Sequence, residues 1–246
     1  YGHFTTRTNI QYNWIKLVDV PEILADLASV EMHCIQTSGN CIRNVTADQF
    51  AGATDEEIED PRPLAEIIRQ WSSLHPEFVF LARKFKIAVG ATEKDRAALL
   101  FHDLAVQIAK NAEGRIGYKV YAGGGMGRTP YLAQVMSEFV EREDILAYLE
   151  AVLRVYNQDS RRDNIHKQRI KILVNAIGVE EMRRRVQREF DEIKANGTLQ
   201  LPQQELDRIA AYFAPPAFED LSDGEPPSLD PTFKDWYRQS ISKHRQ

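Results

Sequence analysis

The stretch "FTTRTNIQY" (residues 4–12) alternates β-favouring and polar positions, and its period of two predicts a strand at the front of the chain. In "PEILADLASV", a proline followed by apolar residues at helical spacing predicts a helix over 21–31. A second helix is predicted over 63–74, where Leu64, Ile67, Ile68 and Trp71 share a face behind the breaker "DPRP". Between them, "QTSGNCIRNVTADQFAG" is punctuated by Gly and Asn and reads as an exposed loop with a short strand. "FVFLARKFKIAV" (78–89) has the aromatic and β-branched content of a central strand, interrupted by Arg83, Lys84 and Lys86.

Further on, "AVQIAK" and "RIGYKVYA" joined by "NAEG" predict a hairpin. Its second strand runs into "GGGMGRTP", with a helix predicted from about residue 130. "EDILAYLEAVLRVYN", "HKQRIKILVNAI" and "VEEMRRRVQREFDEIKANG" each place apolar residues three and four apart and predict successive helices, the last capped by Gly197. "LPQQELDRIAAYF" adds a short helix, and "APPAFEDLSDGEPPSLDP" reads as an acidic, proline-rich linker. Strands in front and helices behind predict an α+β fold, a mixed sheet with packed helices.

Composition narrows the chemistry only a little. The chain has 246 residues, enough for a real core, and a formal charge of −5, so an anion site must come from local clustering of cations. Two cysteines, Cys34 and Cys41, are too few for a disulfide framework; a reducing compartment, the cytoplasm, is the expectation. No apolar run is long enough to predict a membrane span. Cys34, Cys41 and His33 lack the spacing of a closed metal site, so no metal ligands are assigned. Neither a G-x-S-x-G elbow nor a triad-like context supports hydrolysis.

Two features remain. Gly123, Gly124, Gly125 and Gly127 stand between a predicted strand and a predicted helix, where backbone N–H groups could approach an anion. Arg128 occupies the sixth position of G-x-G-x-x-G, so the dinucleotide fingerprint fails, and a tight turn is the other reading. On a strand, Lys84 and Lys86 share a face and Arg83 takes the other; paired ammonium groups repel unless an anion sits between them, although a solvated edge is the plainer reading. Arg7 and Arg43 sit among small polar residues in comparable settings. "RRDNIHKQRIK" (161–171) reads as a solvated helix face, nucleic-acid binding being disfavoured by the acidic net charge.

In this order, "TTRTNIQYN", "TSGNCIRNV", "RKFKIAV", "GGGMGRTP" and "YLEAVLRVYN" with "RRDN" make the chain resemble the sirohaem-dependent nitrite and sulfite reductases, from its first residue to about 213. The resemblance implies a sirohaem- and substrate-binding domain over 21–213, preceded by the end of a ferredoxin-like half-domain in 1–20. Residues 214–246 would be a linker toward a carboxy-terminal half. It implies six-electron reduction of sulfite to sulfide, or of nitrite to ammonia, with electrons from ferredoxin or a reductase subunit. Sirohaem, a tetrapyrrole rich in carboxylates, and a 4Fe–4S cluster are the implied cofactors. By motif, Arg7, Arg43, Lys84 and Lys86 surround the substrate anion; Arg83 pairs with cofactor carboxylates. Gly123, Gly124, Gly125, Gly127 and Arg128 cradle the macrocycle edge, and Gln11 and Thr37 are further cofactor hydrogen-bonding candidates. Lys at 86, where plant-type nitrite reductases tend to have Asn, favours sulfite. The family's C-x5-C and C-x3-C cluster ligands have no match after Cys41, so these residues alone are expected to be inactive. A non-catalytic binder of a tetrapyrrole or polyanion is the alternative.

Overall fold

Strand periodicity is sharpest over residues 85–90. Phe85, Ile87 and Val89 are fully buried in the main apolar core, whereas Ala88, one step out of phase, belongs to a small cluster with Leu99 and Ala105 on the other face. The same phase puts Lys86 on that second face, away from the helices. The structure, a computed structural model, describes residues 1–217 and 230–241.

In chain order, β1 (Gly2–Phe4) and β2 (Ile10–Tyr12) form an antiparallel hairpin, followed by α1 (Val20–Ala28). Then come β3 (Ile42–Thr46), α2 (Arg62–Ser72), β4 (Phe85–Gly90), β5 (Leu104–Lys110), β6 (Ile116–Ala122) and β7 (Gln134–Glu141). Five helices complete the described chain: α3 (Ile145–Asp159), α4 (Ile170–Ile177), α5 (Val179–Asn196), α6 (Gln203–Tyr212) and α7 (Pro231–Ser240). The main sheet has the order β3-β4-β5-β6-β7; β3, β4 and β5 run parallel, and β6 and β7 continue antiparallel. This is the mixed α+β arrangement that the sequence predicts.

Helix α3 is buried almost all round, as its nearly continuous apolar composition requires. Tyr156 from its last turn packs on Phe85 with ring centroids 5.2 Å apart, and its hydroxyl donates to the Gln168 carbonyl at 2.9 Å. Two turns earlier Tyr148 meets Phe190 of α5 edge-on, with ring centroids 5.2 Å apart. Helix α5 keeps an outer face of charges, with Glu181 accepting from both Arg184 and Arg185, and ends at Gly197 in the left-handed conformation (φ 64°) expected of that cap. By contrast, α1 buries none of its residues, and Phe4, Trp14, Leu17 and Val18 around it are exposed.

Several local expectations are corrected. The predicted strand 4–12 is two short strands with a turn between them, closed by Thr5 N–H to the Asn9 carbonyl (2.8 Å); Thr8 takes a positive φ there. Its polar run "TTRTN" favours side-chain-assisted turn bonds over a ladder. The predicted strand 78–89 is a strand only from Phe85; Phe78, Leu81 and Ala82 are buried in turns, a case in which apolar content alone does not separate strand from packed loop. No helix directly follows the glycines: Gln134–Glu141 is an edge strand that buries Met136 and Val140. The predicted linker lies mostly outside the described residues, and α7 begins at its last proline.

Close approach at Gly124 yields the first test, because a Cβ there would lie 2.3 Å from the Leu100 carbonyl oxygen and 2.5 Å from that of His102. Backbone cannot swing aside as a side chain can. Gly124→Ala is expected to destabilise the chain by about 1–3 kcal/mol in chemical denaturation, the usual range for overpacking.

Candidate functional site

Segments far apart in sequence meet on the Lys86 face of β4. The turn between β1 and β2 brings Arg7, β3 brings Arg43 and Asn44, and the entry to β4 brings Lys84 and Lys86. The ladder between β3 and β4 shifts register between Ile42 and Asn44, an irregularity of the kind that re-aims side chains, and leaves Asn44 paired with Lys86. Asn44 then clamps Arg7. Its Oδ1 accepts from Arg7 Nη2 at 2.9 Å while its Nδ2 donates to the Arg7 carbonyl at 2.8 Å, and the same Nη2 also donates to the Ile87 carbonyl at 2.9 Å.

This clamp leaves the rest of the guanidinium unused. Arg7 Nε and Nη1 are buried without a hydrogen-bond partner among the described residues. Burial pushes the Arg7 guanidinium down to about 10, against the opposing pull of Asp103. Lys84 and Lys86 are held below the ordinary lysine range, first by burial and then by neighbouring cations: Arg169, Arg43 and Arg83 beside Lys84, Arg7 and Lys84 beside Lys86. An unpaired buried donor costs stability, and so does a crowd of like charges. Such a site is complementary to an anion with several acceptor oxygens.

Two clefts share this wall. One, about 550 Å³, has Arg7, Arg43 and Lys86 on its polar side and Ile23 and Leu27 of α1 on its apolar side; Gln11 and Thr37 also line it. The second, about 510 Å³, is again bounded by Arg7 and Lys86 and adds Lys84, Asp103, Arg169 and Met126. Arg7, Arg43, Lys84 and Lys86 therefore converge, and Gln11 and Thr37 stand beside them. Arg83 lines neither cleft.

Two N–H groups of the glycine run are already engaged. Gly123 N–H donates to the Asp103 carbonyl and Gly125 N–H to the Tyr131 carbonyl, each at 2.9 Å, so neither is available to an anion, and with a strand following there is no helix N-terminus. What these glycines permit is close packing: a Cβ on Gly123 would lie 3.0 Å from Val174. Beyond them the loop turns outward, with Gly127 and Arg128 exposed and Lys171 Nζ donating from beneath to the carbonyls of Met126 (2.9 Å) and Thr129 (2.6 Å).

Sequence reasoning missed Asn44, Asp103 and Arg169. Asp103 was legible as an acid directly preceding the apolar strand "LAVQI", where burial demands a partner. That partner, Arg169, sits in the stretch read as a solvated helix face. Instead, its Nε and Nη2 reach Asp103 Oδ1 at 2.7 and 2.5 Å.

A family model described as "Nitrite and sulphite reductase 4Fe-4S domain" matches residues 38–194, more than half of the chain. The chain belongs to this family. It is 33% identical over 184 residues to sulfite reductase (ferredoxin) 1 of Mycolicibacterium paratuberculosis, covering 75% of this chain and 33% of that protein. To the chloroplastic ferredoxin–nitrite reductase of Arabidopsis thaliana it is 34% identical over 189 residues, covering 75% and 32%. Among solved structures, the Mycobacterium tuberculosis NirA protein superposes with a TM-score of 0.72 at 28% identity, covering 78% of this chain and 35% of NirA. The chain thus spans about a third of the length of each of these relatives.

Within this family member, the cationic wall fits a tetrapyrrole rich in carboxylates: it offers orphaned guanidinium donors, paired lysines and an apolar flank to an amphipathic, polyanionic group. A 4Fe–4S cluster does not fit the residues present. Such a cluster takes cysteine thiolates, commonly four, and this chain has two, Cys41 buried with its Sγ donating to the Ser38 carbonyl (3.2 Å) and Cys34 exposed.

Because the cations repel one another without an anion, sulfite or phosphate should raise the melting temperature. At ten times the dissociation constant the gain is ~1.4 kcal/mol. Lys86→Met should melt higher than wild type in anion-free buffer and lose most of the anion-induced rise, measured by scanning calorimetry.

Proposed function

We propose that this chain is the sirohaem- and substrate-binding part of a sulfite reductase that reduces sulfite to sulfide by six electrons supplied through ferredoxin or a reductase subunit. The observation that carries the reading is the convergence of Arg7, Arg43, Lys84 and Lys86 on clefts that share one wall, with Arg7 Nε and Nη1 left without a partner among the described residues. Relatives named for sulfite and for nitrite match at similar identity, so the choice of anion rests on Lys86. A second lysine favours the more highly charged sulfite dianion over singly charged nitrite.

In this reading Arg7 and Arg43 hold the anion oxygens, Arg7 being fixed by Asn44 and the Ile87 carbonyl so that its free edge is presented without reorganisation. Bound sirohaem would supply an iron that receives the substrate and a conjugated ring that conducts electrons to it. Each oxygen that leaves as water takes up two protons. Lys86 Nζ and Lys84 Nζ, both made readier proton donors by burial and by neighbouring cations, deliver or relay them. The apolar flank from α1 limits water at the same wall. Arg83, Gln11, Thr37, Gly127 and Arg128 would contact the macrocycle rather than the substrate. Residues 1–20 would belong to a ferredoxin-like half-domain. Cluster ligands would come from outside these 246 residues, and the chain alone would not turn over.

Titrating the chain with sirohaem is expected to shift the cofactor's Soret band, with Arg43→Ala weakening the titration; an unchanged spectrum removes the cofactor half of the proposal. In the full-length reductase, Lys86→Asn is expected to raise kcat/KM for nitrite relative to sulfite by roughly tenfold, a modest discrimination for one pocket contact. An unchanged ratio would show that Lys86 does not select the anion.

A further inference from the structure

Asp103 is 1% exposed and sits one residue before β5, just past the last rung of the parallel ladder, which ends at Ile87 paired with Leu104. Every oxygen of this residue is engaged. Oδ1 accepts from Arg169 Nε and Nη2, at 2.7 and 2.5 Å. Oδ2 accepts from the Lys86 backbone N–H at 3.0 Å, taking the place of a strand partner where the ladder stops. Its main-chain carbonyl accepts from Gly123 N–H at 2.9 Å. One residue thus ties together the β4 segment that carries Lys86, the start of α4 that carries Arg169, and the glycine loop.

We propose that Asp103 is a positioning residue for anion binding: its carboxylate fixes the Arg169 fork and the Lys86 backbone so that the cationic side chains face the shared cleft. This rests on the anion-site reading above. The competing account makes Asp103 only a counter-ion that dilutes the repulsion among Arg7, Lys84, Lys86 and Arg169. The two accounts differ in sign. A negative charge in the wall of an anion site opposes the anion by simple Coulomb attraction and repulsion, so a mere counter-ion, once neutralised, leaves a site that binds anions more tightly. A positioning carboxylate, once neutralised or displaced, leaves cations free to turn away, and binding weakens although the wall has become more positive.

Calorimetric titration of the 246-residue chain with sodium sulfite, and separately with inorganic phosphate, decides between them. Asp103→Asn is expected to weaken binding about tenfold, and Asp103→Glu, which keeps the charge but moves it by one methylene, to weaken it comparably. Tighter binding by Asp103→Asn, or wild-type affinity in Asp103→Glu, overturns the proposal. Should Asp103→Asn lose its cooperative melt, Asp103→Glu carries the test. Arg169→Lys, on a side chain 22% exposed, keeps the charge while removing the fork, and should weaken binding to the same extent; wild-type affinity there overturns the Arg169 part. If the wild-type chain binds neither anion, the anion-site reading itself falls and this proposal with it, whereas wild-type binding with indifferent Asp103 variants removes the positioning role alone.

Discussion

Like charges held together inside a fold are the constraint around which this molecule is arranged. Arg7, Lys84 and Lys86 each lie below their ordinary ionisation range because burial strips water from them, and the two lysines are lowered further by neighbouring cations. A chain accepts such an arrangement only where the surrounding structure is stable enough to impose it. Here that support comes from the opposite face of the same strand: Phe85, Ile87 and Val89 are fully buried against the helical layer, and Tyr156 of α3 packs on Phe85. Strand pleat converts this burial into the placement of Lys86. The residues that stabilise β4 and the residue it presents to the cleft alternate along one short segment, so packing energy on one side is what holds charge on the other.

The rest of the wall is held by polar contacts of long sequence reach. Asn44 and the Ile87 carbonyl fix Arg7, and Asp103 links Arg169, Lys86 and Gly123. These groups are neutral or acidic and do not approach an anion favourably themselves. Their effect is to remove conformational freedom from cations that otherwise would spread into solvent. The glycine loop belongs to the same framework, its N–H groups spent on Asp103 and Tyr131 and its missing side chains spent on close packing against Val174 and the backbone at Leu100.

Legibility in the sequence followed the physics of each element. Helices α3 and α5 and the β5–β6 hairpin were readable because apolar periodicity and turn chemistry act locally. The four converging cations were named in advance, but their convergence was not derivable from spacing, since Arg7 and Ile87 are brought together only by tertiary structure. Misreadings clustered where composition and geometry part. In "FVFLA", Phe78, Leu81 and Ala82 are apolar because they are buried in turns, not because they are extended, whereas Phe80 is exposed; "GGGMG" resembles an anion loop because both anion loops and tight packing need residues without a Cβ. Arg169 was hidden because a cationic stretch looks the same in sequence whether it faces water or a buried acid.

Helix α1 and the strands of the β1–β2 hairpin bury no residue, yet this region supplies Arg7 and the apolar side of the larger cleft. Arg7 binds the carbonyl of Ile87, a residue of β4, which lies between β3 and β5. The cleft is therefore completed by a weakly packed flap that lies over a well-packed sheet. The same separation runs in reverse: lifting that flap dismantles the anion-facing surface while the hydrophobic interior stays intact, so hydrogen exchange in residues 1–28 can be fast in a molecule whose sheet exchanges slowly.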